Sequence, residues 1–126
     1  THAEAGKFIK IETLADLERE LALAKTANQY VMVDLFAEWC VACKEFEHIT
    51  FADAGVKTEM AKIRLLKIDV TSVTPEDQQF MDKFSVLGLP TLLFFSPNGA
   101  ELTQSRVTGF MPPAEFQAHL QQLNQG

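Results

Sequence analysis

The sequence predicts an α/β fold in which a central mixed β-sheet carries helices on both faces. Apolar runs of strand length alternate with helical patterns in the order β-α-β-α-(α)-β-α-β-β-α. A turn signal at residues 96–99 separates the last two strands, which predicts an antiparallel hairpin. The two cysteines of the chain lie three positions apart, where a strand ends and a helix begins. A parallel first half joined to the hairpin gives a mixed sheet between two helical layers.

The first strand and the first helix are marked by local patterns. Residues 8–11 form a short apolar strand, after a leader that we expect to be loosely held. Thr13 and Asp16 have the spacing of a capping box, and leucines repeat at helical spacing from there to about Lys25. Residues 31–36 then form an apolar run that is short enough to be a buried strand.

The middle of the chain predicts two helices and a third strand. Good helix formers continue from Cys40 to about His48. Residues 54–61 are typical of a short amphipathic helix, and residues 63–70 of a strand.

The last third of the chain begins with a strong helix start. Thr74 is the expected N-cap and Pro75 the first helical residue, with acids in the first turn. Residues 91–95 form an apolar strand and residues 106–108 the strand that returns beside it. The chain closes with a helix over residues 112–123, which has an apolar side.

Length and composition predict one domain over residues 1–126, of which 1–12 are the leader and the first strand. The net charge is −6 and no basic cluster is present, so nucleic acid is not an expected partner. No apolar stretch approaches the roughly 20 residues that a membrane span needs. The sequence begins without an initiator Met or a recognisable signal peptide, which suggests a processed chain or a piece cut from a longer protein. A monomer is the default expectation.

Cys40 and Cys43 are predicted to carry thiol–disulfide exchange. A helix N-terminus favours a thiolate, and only the thiolate attacks a disulfide. Cys40 comes first and is the expected attacking thiol at the exposed start of the helix, while Cys43 resolves the mixed disulfide. Inert core thiols and a structural zinc site are weaker alternatives. Structural zinc needs four ligands, and His48 is the only additional one near the two cysteines. We therefore expect no metal and no cofactor beyond the cysteine pair.

Two acids are candidates for tuning the cysteines. Asp34 is a lone acid in an otherwise apolar strand, so it either exchanges a proton with Cys43 or faces an edge or solvent. Glu47 shares a helical face with both cysteines, where its charge would raise their pKa values. The alternative for Glu47 is a solvated side chain paired with Lys44 or Lys83.

Two further features flank the cysteine pair. Trp39 is expected to shield the site and offer a flat apolar contact, although a core tryptophan remains an alternative. Pro90 stands at the start of a strand, which is tolerated because proline removes one ladder donor. The bond between Leu89 and Pro90 could also be cis, with the neighbouring backbone pairing with an extended substrate segment.

These motifs resemble the thioredoxin family over most of the chain, from about Thr13 to Leu123. The resemblance rests on residues 33–40, on Cys43 followed by Lys44, and on residues 89–91. Between the cysteines, Val41 and Ala42 replace the usual Gly-Pro. Together with residues 43–47, 86–91 and 107–110, this departure resembles the C-terminal domain of the DsbD family of bacterial inner-membrane thiol:disulfide interchange proteins.

The resemblance implies a redox domain in the bacterial periplasm, as a soluble part of an inner-membrane protein. It would accept electrons from a transmembrane redox domain and pass them to an N-terminal immunoglobulin-like domain of the same protein. That domain would in turn reduce isomerases and cytochrome-maturation proteins.

The resemblance also assigns site residues by position. Cys40 is the nucleophile and Cys43 the resolving thiol, while Asp34 and Glu47 tune their pKa values and Pro90 is the cis proline. The residues expected to contact the substrate are Trp39, Val41, Ala42, Leu89 and Pro90.

Two other functions remain open at this point. One is a general thioredoxin-like reductase that acts on many unrelated disulfide proteins. The other is a binding module that uses the same fold and whose cysteines never turn over.

Overall fold

A computed structural model describes residues 7–125 of the chain. The expected leader therefore lies, up to residue 6, outside the described residues. The strands are β1 (Ile9–Lys10), β2 (Val31–Phe36), β3 (Arg64–Asp69), β4 (Thr91–Phe95) and β5 (Val107–Thr108). The helices are α1 (Leu14–Ala27), α2 (Val41–Glu45), α3 (Ala54–Met60), α4 (Pro75–Lys83) and α5 (Pro113–Gln125). The predicted order of elements is confirmed.

The five strands form one mixed sheet in the order β1-β3-β2-β4-β5. β1, β3 and β2 are parallel, whereas β4 runs antiparallel to both β2 and β5. β2 is thus central, with a paired neighbour on each side. An edge-facing position for Asp34, one of the alternatives from the sequence, is therefore wrong.

Helices cover both faces of the sheet, as predicted. Because side chains alternate along a strand, each strand contributes to two separate cores. On one face, Leu17 of α1 and Phe80 of α4 are buried with Leu35 and other odd-numbered residues of β2. On the other face, Phe46, Val56 of α3 and Phe116 of α5 are buried with Met32 of β2.

The two predicted helix starts are confirmed in detail. The Thr13 hydroxyl accepts a hydrogen bond from the Asp16 N–H at 3.1 Å, and the Asp16 carboxylate accepts one from the Thr13 N–H. Thr74 and Asp77 repeat this reciprocal pattern at the start of α4. Each box satisfies backbone donors that have no partner within the helix.

The helix that follows the cysteines differs from the prediction. α2 ends at Glu45 and continues as a π-helical turn over Phe46–Thr50, closed by a 2.8 Å hydrogen bond from the Phe51 N–H to the Phe46 carbonyl. The buried Thr50 hydroxyl donates to the Met111 carbonyl at 2.6 Å, and the Phe46 ring packs against several other phenylalanines. These tertiary contacts hold the π-helical turn in place. They cannot be predicted from the helix propensities of the residues in the turn.

Candidate active site

Cys40 and Cys43 are joined by a disulfide, with their Cα atoms 5.2 Å apart. Cys40 is the N-cap of α2, and its Sγ accepts a hydrogen bond from the Cys43 N–H at 3.1 Å. That N–H is available to stabilise a negative charge on the Cys40 sulfur. Both residues are 8% exposed, so residue exposure does not distinguish an outer from an inner cysteine in this oxidised form.

The loop before the cysteines is held by the loop after β3. The Glu38 N–H donates to the Thr71 hydroxyl at 2.8 Å, and the Trp39 indole N–H donates to the Thr71 carbonyl at 3.1 Å. Asp69 in turn accepts from both the N–H and the hydroxyl of Thr71. These Thr71 contacts orient Trp39, which nevertheless keeps 61% of its surface exposed.

The peptide bond between Leu89 and Pro90 is cis, as the resemblance implied. Thr91 of β4 lies opposite Leu35 of β2, which brings this loop beside the end of the strand that leads to the cysteines. Leu89 and Val86 pack against the same core as the two cysteines. The proline loop and the disulfide therefore border the same core.

A hydrogen bond also ties the proline loop to the end of β5. The Gly109 N–H donates to the Pro90 carbonyl at 2.9 Å. Gly109 has a φ of +83°, a backbone conformation that favours glycine. The next residue, Phe110, lies with its ring 5.8 Å from that of Phe46.

Large apolar side chains are exposed beside Cys40, in the proline loop and after β5. Trp39 is 61% exposed, Val41 72%, Leu87 98% and Phe110 37%, and these four residues are called the apolar surface below. Of the other predicted contact residues, Ala42 and Leu89 are half-buried and Pro90 is buried.

Sequence reasoning identified Trp39 and Val41 but missed Leu87 and Phe110. An apolar residue next to a glycine in a loop was the available signal in both places. That signal is weak, because single exposed apolar residues are common on protein surfaces.

The second face of the site is a cavity of about 160 Å³, called the Asp34 cavity below. It is lined by Phe8, Asp34, Phe36, Ala37, Glu38, Cys43, Lys44, Glu47, Phe51 and Lys67. Three of the four predicted chemical residues, Asp34, Cys43 and Glu47, thus meet at one place. Lys67, which the sequence analysis missed, is the register partner of Asp34 in the parallel pair β2–β3.

The cavity makes Asp34 an acid that titrates near neutrality. Burial raises the pKa of Asp34 from 3.8 to about 7, and the charge of Glu47 adds to this rise. The Lys67 ammonium acts in the opposite direction on the pKa of Asp34. A carboxyl group with such a pKa can both take up and release a proton at neutral pH.

Glu47 is exposed at the rim of the cavity, in the π-helical turn. Lys44, one of the partners considered for it, instead forms an ion pair with Glu38 at 3.1 Å. Glu47 is therefore placed to act on the cavity through its charge.

Two other kinds of feature are absent from residues 7–125. In this range, no group of three or more His, Cys, Asp or Glu side chains is arranged to hold a metal ion. None of the helices described here combines the length and the apolar character that crossing a bilayer requires.

Comparison with known sequences agrees with this geometry. Residues 17–124 match the family model of a thioredoxin-like domain. The chain is 49% identical over 124 residues to the thiol:disulfide interchange protein DsbD of Pectobacterium atrosepticum, and 48% identical over 120 residues to that of Tatumella citrea. These alignments cover 98% and 95% of this chain but 21% and 20% of the relatives. The chain thus spans about a fifth of the length of the curated relatives it matches.

Solved structures give the same result. The oxidised C-terminal domain of DsbD from Neisseria meningitidis superimposes with a TM-score of 0.78 at 25% identity, covering 90% of this chain and 98% of that one. A thioredoxin from Thermus thermophilus gives a TM-score of 0.72 at 31% identity, covering 85% and 82%. The chain therefore belongs to the thioredoxin-like family, and within that family it is similar to the C-terminal domain of DsbD.

Proposed function

We propose that the chain is a protein-disulfide reductase domain that relays electrons by dithiol–disulfide exchange. The observation that carries this proposal is the setting of the Cys40–Cys43 disulfide: Cys43 lies in the wall of the Asp34 cavity, and the exposed side chains of Trp39 and Val41 flank Cys40 in the chain. The exposed side chains can receive a protein partner, and the cavity can supply and remove the proton that exchange requires.

In the first half of the cycle the domain is reduced. A thiolate of the donor attacks the Cys40 sulfur, the Cys40–Cys43 bond breaks, and Cys43 leaves as a thiolate. Protonated Asp34 gives its proton to that thiolate across the cavity. The second donor thiolate then attacks the donor sulfur bonded to Cys40, which forms the donor disulfide and releases Cys40 as a thiolate.

In the second half the domain reduces its acceptor. The Cys40 thiolate attacks the acceptor disulfide, forms a mixed disulfide and releases one acceptor thiolate. Asp34 takes the proton of Cys43, and the Cys43 thiolate attacks the Cys40 sulfur. The second acceptor sulfur leaves, the Cys40–Cys43 bond is restored, and two electrons have passed on.

The remaining predicted residues support these steps. Glu47 keeps negative charge near the cysteines, which raises the pKa of Asp34 and opposes premature thiolate formation at Cys43. Trp39, Val41 and Ala42 contact the partner beside the disulfide. The backbone at Leu89 and Pro90 pairs with an extended segment of the partner, as in strand addition.

The similarity to DsbD supports a specific place for this relay. The chain would be one thioredoxin-like domain of a larger inner-membrane protein, monomeric when isolated and located in the periplasm. Its donor would be a transmembrane redox domain and its acceptor an N-terminal immunoglobulin-like domain, which reduces isomerases and cytochrome-maturation proteins. The share of about a fifth of each relative supports further domains of this kind.

A mixed-disulfide trap tests the proposal. In Cys43→Ser, Cys40 can attack a partner but the bond cannot be resolved, so the partner stays covalently attached. The variant is incubated in a bacterial periplasmic and membrane extract, and trapped proteins are identified by mass spectrometry. We expect one or two partners, each with an immunoglobulin-like redox domain or a membrane redox domain, joined through Cys40.

The matched control is Cys40→Ser, in which the expected nucleophile is absent and the same partners should not accumulate. A broad set of unrelated proteins on Cys43→Ser would instead favour a general thioredoxin-like reductase. Trapping of nothing would contradict exchange chemistry. Partner binding that survives replacement of both cysteines, without any turnover, would favour a binding module.

A further inference from the structure

Thr50 is the last residue of the π-helical turn that contains Glu47, and its side chain is fully buried. Its hydroxyl donates to the Met111 carbonyl at 2.6 Å, across 61 positions of the sequence. A buried hydroxyl without a partner is costly, so this hydrogen bond fixes where the end of the turn lies. None of the exchange steps proposed above involves Thr50 directly.

Two other helical threonines bond in a different way. The hydroxyls of Thr26 in α1 and Thr58 in α3 donate to carbonyls four residues earlier, at 3.3 Å and 3.1 Å. Such local bonds are the ordinary choice of a threonine within a helix, and both of these residues are exposed. Thr50 instead bonds to the loop between β5 and α5, so its hydroxyl joins two distant segments of the chain.

The first residue of the π-helical turn, Phe46, contacts the same loop. The Phe46 ring centroid lies 5.8 Å from that of Phe110, which directly precedes Met111. It also lies 5.2 Å from the ring centroid of Phe116 in α5. Both ends of the turn are therefore held against the segment from β5 to α5. Turns of this kind are rare and frequently lie at functional sites.

Glu47 lies within this turn and lines the Asp34 cavity together with Cys43. In the part of the chain that the structure describes, no ion pair holds the Glu47 carboxylate. The distance between Glu47 and Asp34 is therefore set by the backbone that carries Glu47. Because the effect of a charge falls with distance, a fixed turn gives that charge a fixed influence.

We propose that Thr50 is a positioning residue, whose hydrogen bond to the Met111 carbonyl holds the π-helical turn so that Glu47 stays at the rim of the Asp34 cavity. Without the hydroxyl, the turn keeps its Phe46 contacts but loses the hydrogen bond at its other end. The Glu47 carboxylate then spends part of its time further from Asp34. The inference rests on the proposed function only for its consequence in the exchange reaction.

Several other charged groups face Asp34 from the elements around the cavity. Glu38 from the loop before the cysteines and Lys44 from α2 form an ion pair with each other in the cavity wall. Lys67 from β3 lowers the pKa of Asp34, whereas the charge of Glu47 raises it. Of these charged groups, only Glu47 is carried by the π-helical turn. Loosening the turn should therefore change the contribution of Glu47.

A double-mutant cycle in the oxidised full chain tests the proposal. The Asp34 carboxyl is titrated by NMR with carbon-13 labelling, with and without Glu47→Gln, in the wild type and in Thr50→Val. Glu47→Gln should lower the pKa of Asp34 in the wild type, because it removes a nearby negative charge. In Thr50→Val the same substitution should lower that pKa by about half as much or less.

Two controls separate the position of Glu47 from general stability. Thr50→Ser keeps the hydroxyl and should show the full wild-type shift on Glu47→Gln. Thr58→Val removes the hydroxyl of an exposed helical threonine and should leave that shift unchanged. If Thr50→Val does not fold, Phe46→Leu is the informative variant. It weakens the contacts at the other end of the turn, keeps an apolar side chain in the core, and should also reduce the shift.

The exchange reaction gives a second readout. A mixed disulfide between Cys40 and 5-thio-2-nitrobenzoate is resolved by Cys43, and the rate of release of the coloured thiolate is recorded against pH. The midpoint of this profile should move down in Thr50→Val. Adding Glu47→Gln to Thr50→Val should then move the midpoint less than it does in the wild type.

Three results of the titration would overturn the inference. One is an equal shift on Glu47→Gln in the wild type and in Thr50→Val, which would leave the Thr50 hydrogen bond with a structural role alone. Another is a shift reduced equally in Thr58→Val, which would indicate that any loosening of a helix has this effect. The third is the absence of a shift on Glu47→Gln in the wild type, since Glu47 would then not act on Asp34.

The two readouts distinguish failure of this inference from failure of the proposed function. A wild-type exchange profile whose midpoint does not follow the pKa of Asp34 would contradict the proposed role of Asp34 in exchange. The NMR titration would still decide the role of Thr50 in that case.

Discussion

The two sides of the disulfide differ in chemistry and in construction. The apolar surface consists of uncharged side chains from three loops and from the first residue of α2, and Leu87 there is 98% exposed. The Asp34 cavity contains two acids and two lysines besides Asp34 itself, and strands β2 and β3 supply its central pair, Asp34 and Lys67. The proposed function therefore gives partner recognition and proton transfer to different residues.

Because the two groups of residues are separate, partner recognition and proton transfer should respond to different substitutions. If the proposal is correct, a change on the apolar surface should alter how a partner binds but leave the proton equilibrium of Asp34 intact. A change in the cavity should alter the chemistry after the partner has bound. Substitutions on each side can therefore test whether the division is real.

The largest effect is expected from the cavity side, in Asp34→Asn. Loss of the proton acceptor should slow the resolution of the mixed disulfide by about 100-fold or more at pH 7, the usual size of general acid–base catalysis. The KM for a trapped partner should stay nearly unchanged, because Asp34 is not on the apolar surface. Steady-state kinetics with that partner measures both values, and a raised KM with unchanged kcat would contradict the division.

The same variant has a pH-dependent effect on stability. The folded pKa of Asp34 is raised from 3.8 to about 7, so the folded state holds the proton more tightly than the unfolded state. The contribution of Asp34 to wild-type stability is therefore most favourable below about pH 4 and becomes less favourable as the pH rises to about 7. Asn is neutral throughout, so Asp34→Asn should become the more stable protein over this range, by on the order of 4 kcal/mol at most. Urea unfolding at pH 4 and pH 8 measures the difference.

The sequence predicts the cavity chemistry better than the surface. Asp34 was recognisable because an acid in an apolar strand is costly, and Cys43 because of its spacing from Cys40. Both signals are local. The order of elements along the chain, the capping box at Thr13 and the N-cap at Thr74 were likewise predicted from local patterns.

The missed features depend on long-range contacts. Phe8 and Lys67 reach the cavity only because β1 and β2 both pair with β3. Leu87 and Phe110 belong to two segments that are joined by the hydrogen bond from the Gly109 N–H to the Pro90 carbonyl. The π-helical turn is held by tertiary packing of Phe46. No short window of sequence contains these contacts.

An intermediate effect is expected on the apolar surface, in Leu87→Ser. Contact of this side chain with a partner buries apolar area worth about 1.5 kcal/mol, so the KM should rise about tenfold. The kcat and the pKa of Asp34 should not change. Leu23→Ser is the matched control, because Leu23 is 47% exposed on α1 and lies outside the apolar surface. Equal KM values for the two variants would remove Leu87 from the partner contact.

The smallest effect is expected in Thr71→Val, which weakens the hydrogen bonds that hold the loop carrying Trp39 of the apolar surface. The substitution removes the hydroxyl that accepts from the Glu38 N–H and donates to Asp69, while the Trp39 indole keeps its carbonyl acceptor. Net loss of such hydrogen bonds costs about 1 kcal/mol, to be measured by urea unfolding. Thr71→Ser keeps the hydroxyl and should behave as the wild type.

The KM of Thr71→Val for the partner should rise about twofold, because Trp39 is less firmly oriented but still present. The pKa of Asp34 should stay near 7 in this variant, since Thr71 is not part of the cavity wall. A fall in that pKa would mean that the loop before the cysteines transmits strain to the cavity, and that the two sides of the disulfide act as one unit.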